Sequence, residues 1–292
     1  MLRSVIVVAA VTVLAALAVA CSPIGVLNAL TPGDTYTVAE GLEYGPDPRN
    51  KLDVYRPRPS AERPAPGAGY PVVVFFYGGT WNWGNRKEYE FVGEAFASQG
   101  IVTIVADHRL YPQVRYPDFL RDCAQAVAWA RREAARYGGD PQRLFVMGHS
   151  SGAYNAAMIA LDPRWLAAEG LSPAVLAGWI GLAGPYDFLP MTNTDAQPVF
   201  FHPDYPQGSQ PIDYVSKASP RAFLAAAATD SLVNPERNTQ QMAAKLKAAG
   251  VAVTHKVYAE VNHVTIAGAI ARPLRWLAPV RDDIIAFVRA GR

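Results

Sequence analysis

The chain has 292 residues, 50% hydrophobic and 18% charged, which excludes a disordered chain and leaves one large domain or two small ones. Lys and Arg number 27 against 25 Asp and Glu, and basic residues never run longer than a pair such as Arg131-Arg132, so no nucleic-acid partner is implied. Two cysteines cannot build a disulfide scaffold, and the 23 Gly and 24 Pro follow no period that would mark a fibre or a repeat array.

Arg3 is the only charge before Asp34, and Val5 to Ala20 is an unbroken run of Val, Ile, Ala, Leu and Thr. Residues 1–20 therefore read as a secretory signal peptide, somewhat short for a spanning helix, which needs about 20 apolar residues. Leu17-Ala18-Val19-Ala20-Cys21 resembles the bacterial lipoprotein cleavage box, with Ala18 where that box usually carries Leu. The resemblance implies lipidation at Cys21 and a membrane partner reached through that anchor, on the periplasmic or cell-surface side. Plain cleavage near Ala20, or an uncleaved anchor running through Leu30, are the alternatives. Residues 21–33 then read as an uncharged tether and 34–292 as one domain. Cys123 falls on an apolar helix face and reads as a core residue rather than a reactive thiol.

Thr35 to Ala39 and Lys51 to Tyr55 alternate polar and apolar positions, as half-buried strands do. After a Pro/Gly-rich loop over 57–69, Pro71 to Tyr77 is continuously apolar and reads as a strand buried on both faces. From there the chain alternates: a helix over 87–98, a strand over 101–106, an amphipathic helix over 118–136, a strand over 144–147 and a helix over 151–161. Strands follow at 177–182, 222–228 and 253–258, with helices at 239–249 and 279–289. The stretch 183–219 is irregular and rich in Pro, Asp and aromatic residues, the composition of a lid or pocket wall. Strands alternating with helices predict an α/β domain with a mostly parallel central sheet covered by helices on both faces.

Gly148-His149-Ser150-Ser151-Gly152 matches G-x-S-x-G at the turn from strand to helix, where two glycines permit the sharp bend that exposes a serine Oγ. The helix N-terminus behind Ser150 adds partial positive charge where an oxyanion would form. Tyr77-Gly78-Gly79-Thr80-Trp81 leaves a central strand and can bring backbone N–H groups to one point. Asp230 ends the strand 222–228, and the order serine, acid, histidine excludes His108 and His149 as base. His202 precedes Asp230 and His255 alternates within a strand, which leaves His263 in the turn after the last strand. Asp187, after the preceding strand, is the rival acid and otherwise a pocket residue. Trp81, Trp83, Tyr154, Tyr186 and Phe188 are candidates to line an apolar pocket, with core packing as the alternative.

These strings, with Asp107-His108-Arg109-Leu110-Tyr111-Pro112 and Gly139-Asp140-Pro141, run in order from the third strand almost to the C-terminus. They resemble the α/β-hydrolase-fold serine esterases of the carboxylesterase group that includes hormone-sensitive-lipase-like, kynurenine-formamidase-like and prenylcysteine-methylesterase-like enzymes. The resemblance implies a Ser150-Asp230-His263 triad acting on a small-molecule ester through an acyl-enzyme, with Gly79, Thr80 and Ser151 as oxyanion donors. No cofactor and no metal is implied, since the sequence has no His/Cys/carboxylate cluster at ligand spacing and no phosphate-cradling Gly loop followed by Lys. Family members usually begin the oxyanion loop with His, where this chain has Tyr77. An amidase or arylformamidase using the same residues, and a non-catalytic binding protein on the same fold, are the competing readings.

Overall fold

The computed structural model describes residues 23–59 and 66–290, so the expected signal over 1–20 and the lipidation candidate Cys21 lie outside the described residues. Where a tether was expected, Pro23–Ala29 forms a short helix, α1. Its Ile24 and Leu27, three residues apart and so on one face, pack against the core. Next come β1 (Tyr36–Glu43), β2 (Lys51–Pro57), β3 (Tyr70–Phe76), α2 (Glu90–Ala97), β4 (Val102–Ala106) and α3 (Asp118–Glu133). The second half comprises β5 (Gly139–His149), α4 (Ser151–Leu161), α5 (Pro163–Ala167), β6 (Leu176–Leu182), β7 (Ala222–Ala227), α6 (Gln241–Ala248), β8 (Val253–Tyr258), α7 (Thr265–Gly268) and α8 (Val280–Arg289).

Among the described residues the strands form one 8-stranded sheet in the order β1-β2-β4-β3-β5-β6-β7-β8. β2 runs antiparallel to both its neighbours, and every other pairing is parallel. The pleat explains the run of apolar residues in β3. Val72, Val74 and Phe76 enter the core on one face, whereas Val73 and Phe75 enter the core on the other. β5 splits the same way, with Leu144 and Val146 opposite Phe145 and Met147. Each such side chain, fully buried, contributes about 1.5–3 kcal/mol to folding. The faces are covered by α3, α4 and α6 on one side and by α2 and α8 on the other, and buried Cys123 sits in α3.

Element boundaries differ from the expectation where polar residues take part. β5 starts at Gly139, because Gly139 pairs with Tyr70 while Asp140 to Arg143 stay partly exposed and carry no apolar pattern. The expected helix at Lys87 opens as a 3₁₀ turn over Arg86–Tyr89, its start capped by the Asn85 side chain on the Lys87 N–H. The amphipathic helix α3 stops at Glu133 and continues as a 3₁₀ turn over Ala134–Tyr137. The irregular stretch 183–219 holds two short 3₁₀ turns, Gln197–Phe200 and Pro211–Tyr214. Among the described residues no helix is long and apolar enough to cross a membrane. Because β5, β7 and β8 are parallel, the loops after all three emerge at the same edge of the sheet, the edge where open α/β sheets bind ligands.

Candidate active site

Ser150 sits between β5 and α4 with φ 55° and ψ −125°, a left-handed conformation that a non-glycine residue adopts only when its surroundings hold it there. The surroundings leave no room for side chains on either flank. A Cβ at Gly148 would lie 2.0 Å from the Gly152 carbonyl oxygen, and one at Gly152 would lie 2.0 Å from that of Phe76. The Ser150 N–H donates to the Leu182 carbonyl at 2.9 Å, which ties the turn to β6.

His263 lies in the turn that enters α7. Asn262 shapes that turn: its Oδ1 accepts from the N–H groups of Val264 and Thr265, and its own N–H donates to Thr265 Oγ1. His263 Nε2 is 2.9 Å from Ser150 Oγ, and His263 Nδ1 is 2.7 Å from Asp230 Oδ2. Carboxylate oxygens only accept, so Nδ1 carries the proton and Nε2 is the acceptor for the serine hydroxyl. The other Asp230 oxygen accepts from the N–H groups of Leu232 and Val233, each at 2.9 Å. Burial acts to raise the Asp230 pKa. The hydrogen bond from His263 and the two backbone donors outweigh it and hold the carboxyl below its ordinary value. The carboxylate therefore stays charged beside the imidazole.

Asp187 stands elsewhere. Its carboxylate pairs with Arg237 at 3.2 Å, and its N–H donates to Asn238 Oδ1. His149, which sequence order excluded as base, is next to the site in another capacity. Its buried Nε2–H donates to the His263 carbonyl at 2.7 Å, and its ring lies 5.1 Å from the His263 ring. Burial, reinforced by His263, pushes the His149 pKa down to about 3, and burial takes His108 to about 4. The unfolded chain protonates both near 6.5, so below that pH the unfolded state binds more protons and the native state loses stability. The unfolding free energy from urea titrations is therefore expected to decline between about pH 6.5 and 4, by up to ~1.4 kcal/mol per pH unit for each histidine. His149→Gln, which keeps a donor for the His263 carbonyl, is expected to reduce that slope by roughly half. An unchanged slope in urea titrations of the variant would contradict the assignment of His149 as a buried neutral group.

The loop after β3 is unusual in its backbone. Gly79, Thr80 and Trp81 have φ of 130°, 48° and 61° in succession. Two non-glycine residues in this region cost on the order of 1–3 kcal/mol each, so the contacts around them must be firm. Trp81 Nε1–H donates to Asn155 Oδ1 at 3.0 Å, its ring meets Tyr154 and Phe200 edge-on, and its carbonyl accepts from the Tyr111 N–H. Thr80 Oγ1–H donates to Asn82 Oδ1 at 2.6 Å. Tyr77 occupies the place of the family's usual histidine. Its hydroxyl donates to Asp107 Oδ1 at 2.8 Å and accepts from Arg49 Nη2 at 3.0 Å. Arg86 closes the network through Asp107 and Asp53. Arg109 instead pairs with buried Asp122. Gly79 and Thr80 line the cavity beside Ser150, and Ser151 lines the neighbouring one at the first turn of α4.

Two cavities meet at Ser150. One, of about 280 Å³, is lined among others by Ile24, Leu27, Trp83 and Phe91. The other, of about 110 Å³, is lined by Trp81, Phe188, Met191, Thr192 and Asn193. Of the expected pocket residues, Trp81, Trp83 and Phe188 line these spaces and three do not. Tyr154 is fully buried beneath Trp81 with its hydroxyl on the Ser209 carbonyl, Tyr186 is fully buried against Trp179, and Asp187 is drawn to Arg237. The contributions of α1, Leu232 and Val264 to the cavity walls were missed. The spacing of Ile24 and Leu27 was the available signal. Among the described residues no group of three or more His, Cys, Asp and Glu is placed to hold a metal ion.

The family model described as BD-FAE matches residues 52–246. Esterase LipC of Mycobacterium tuberculosis strain H37Rv is 31% identical over 224 residues, covering 70% of this chain and 54% of that protein. Isoprenylcysteine alpha-carbonyl methylesterase ICME of Arabidopsis thaliana is 31% identical over 160 residues, covering 53% of this chain and 36% of the other. The chain thus spans about half or less of the length of these curated relatives. Among solved structures, an inhibited esterase B from Lactobacillus rhamnosis superposes with a TM-score of 0.75 at 18% identity, covering 96% of this chain and 95% of that one. At that identity the likeness speaks to the fold, which is the expected α/β-hydrolase fold.

Proposed function

The chain belongs to the BD-FAE family, and from that membership we propose that it is a carboxylesterase-type serine hydrolase working through an acyl-enzyme. The observation that carries the reading is the relay of hydrogen bonds, 2.9 Å from Ser150 to His263 and 2.7 Å from His263 to Asp230. Ser150 Oγ attacks the ester carbonyl while His263 Nε2 takes its proton. Asp230 holds the ring in the Nδ1–H tautomer and stabilises the imidazolium without taking the proton. The N–H groups of Gly79, Thr80 and Ser151 receive the oxyanion, aided by the first turn of α4. His263 then protonates the leaving alcohol, and water repeats the sequence to release the acid.

Small-molecule esters are the proposed substrates, and the names of LipC and ICME support an ester over an amide. The test compares 4-nitrophenyl esters with the matching anilides and formanilides on one preparation. Faster turnover of the esters supports the esterase, and preferential turnover of the anilides or formanilides would favour the amidase reading. A folded protein inert toward all of these substrates would favour the non-catalytic one. We further propose export and lipid anchoring at Cys21, on the strength of the apolar run ending at that residue. Two acyl chains suffice for stable membrane attachment where one is marginal. Cys21→Ser is expected to abolish lipid labelling, and mass spectrometry of an unmodified Cys21 in the mature wild-type chain would overturn it.

A further inference from the structure

The two cavities that meet at Ser150 differ in chemistry. The larger has Ile24 and Leu27 of α1, Phe91 of α2 and Leu274 among its walls. At its border stand Trp83, Leu232 and Val264, which remain 54%, 66% and 62% exposed despite being large and apolar. The smaller places Thr192 and Asn193 beside Met191 and Phe188. Thr80, Leu232 and His263 border both spaces, so an ester held at Ser150 has one direction that is almost wholly apolar and another that adds the Thr192 hydroxyl and the Asn193 amide as partners.

Resting on the ester-hydrolase reading, we infer that the substrate is an ester with one flexible apolar chain, that this chain occupies the larger cavity, and that α1 sets the length accepted. The helix is fastened where it performs this task. Asn28 Nδ2 donates to the Lys87 carbonyl at 2.8 Å, and Asn28 Oδ1 accepts from the Phe91 N–H at 3.3 Å, which pins α1 to the start of α2. Ile24 and Leu27 are thereby presented to the cavity, while Leu30, one turn on, is 57% exposed. An apolar wall discriminates by burial, at about fourfold in kcat/KM for each further methylene removed from water. The smaller cavity, with Thr192 and Asn193, takes the more polar remainder of the ester. Cys21 lies just ahead of α1 in the sequence, so the segment proposed to anchor the protein is continuous with the wall that selects its substrate.

The test is the chain-length profile of kcat/KM for full-length protein, with 4-nitrophenyl acetate, butyrate, hexanoate, octanoate and decanoate, and in parallel an acetate series with growing alkyl alcohols. Wild-type protein is expected to climb from acetate to a medium chain in one of the two series, which also tells whether the chain is the acyl or the alkyl part. Leu27→Trp fills the cavity and is expected to lower the octanoate-to-acetate ratio, or its alkyl counterpart, by about fifteenfold, equivalent to two buried methylenes. Ile24→Ala is expected to move the maximum to longer chains, and Leu30→Ser, outside the cavity, to leave the profile alone. Ratios taken on one preparation cancel any loss of folded protein. Ester hydrolysis with the same profile in wild type, Leu27→Trp and Ile24→Ala would overturn the inference and leave the esterase reading standing. Failure of the wild-type protein to hydrolyse any ester would remove both.

Discussion

Replacing Ser150 by alanine is expected to lower kcat by ~10⁴-fold or more while leaving the fold intact. The side chain's only hydrogen bond among the described residues is to His263 Nε2, so its loss removes the proposed nucleophile without stranding a buried donor elsewhere. The backbone turn does not depend on that hydroxyl. It is set by the close approach of Gly148 to Gly152 and of Gly152 to Phe76, and by the bond from the Ser150 N–H to Leu182. Circular dichroism checks the fold and steady-state kinetics the rate. A folded Ser150→Ala protein that keeps a tenth of the activity would mean that another group attacks the carbonyl.

The second large effect separates two carboxylates. Asp230→Asn is expected to cost ~10³- to 10⁴-fold in kcat, because a carboxamide that donates toward His263 Nδ1 favours the tautomer with its proton on Nε2, the position that must accept the serine proton. Two backbone donors, from Leu232 and Val233, already saturate the other oxygen and fix which atom faces His263. Asp187→Asn should change kcat less than about threefold, since an exposed pair such as that with Arg237 contributes about 0–1 kcal/mol to stability and does not touch His263. Kinetics of the two variants side by side decide between them. The reverse ranking would move the acid to Asp187.

Elements that owe their formation to burial were readable from the chain. Each strand of the sheet was anticipated as a separate strand, because β3, β6, β7 and the Leu144 to Met147 part of β5 are continuous apolar runs and β1 begins with polar and apolar residues in alternation. The turn carrying Ser150 was readable because strand, turn and helix have different periods, and the change falls on two glycines. What was not readable depended on partners distant in sequence. The start of β5 is decided by Tyr70 across the sheet, and the fate of Tyr77 by Arg49 and Asp107. A helix as short as α1 has little intrinsic stability, so composition alone suggested a tether. It forms here through Asn28 and the core contacts of Ile24 and Leu27. Tyr154 and Tyr186 read equally well as pocket or core, and only the packing around Trp81 and Trp179 places them in the core.

In the proposed reaction Ser150, activated by His263, forms a covalent bond to the substrate's acyl carbon. A fluorophosphonate traps such a nucleophile at phosphorus, so treatment of the full-length protein followed by peptide mass spectrometry identifies the attacking residue directly. One adduct is expected, on Ser150 in the peptide that also holds His149 and Ser151, absent from Ser150→Ala and strongly slowed in Asp230→Asn. An adduct on another residue, or catalytically active protein that acquires none, would contradict it.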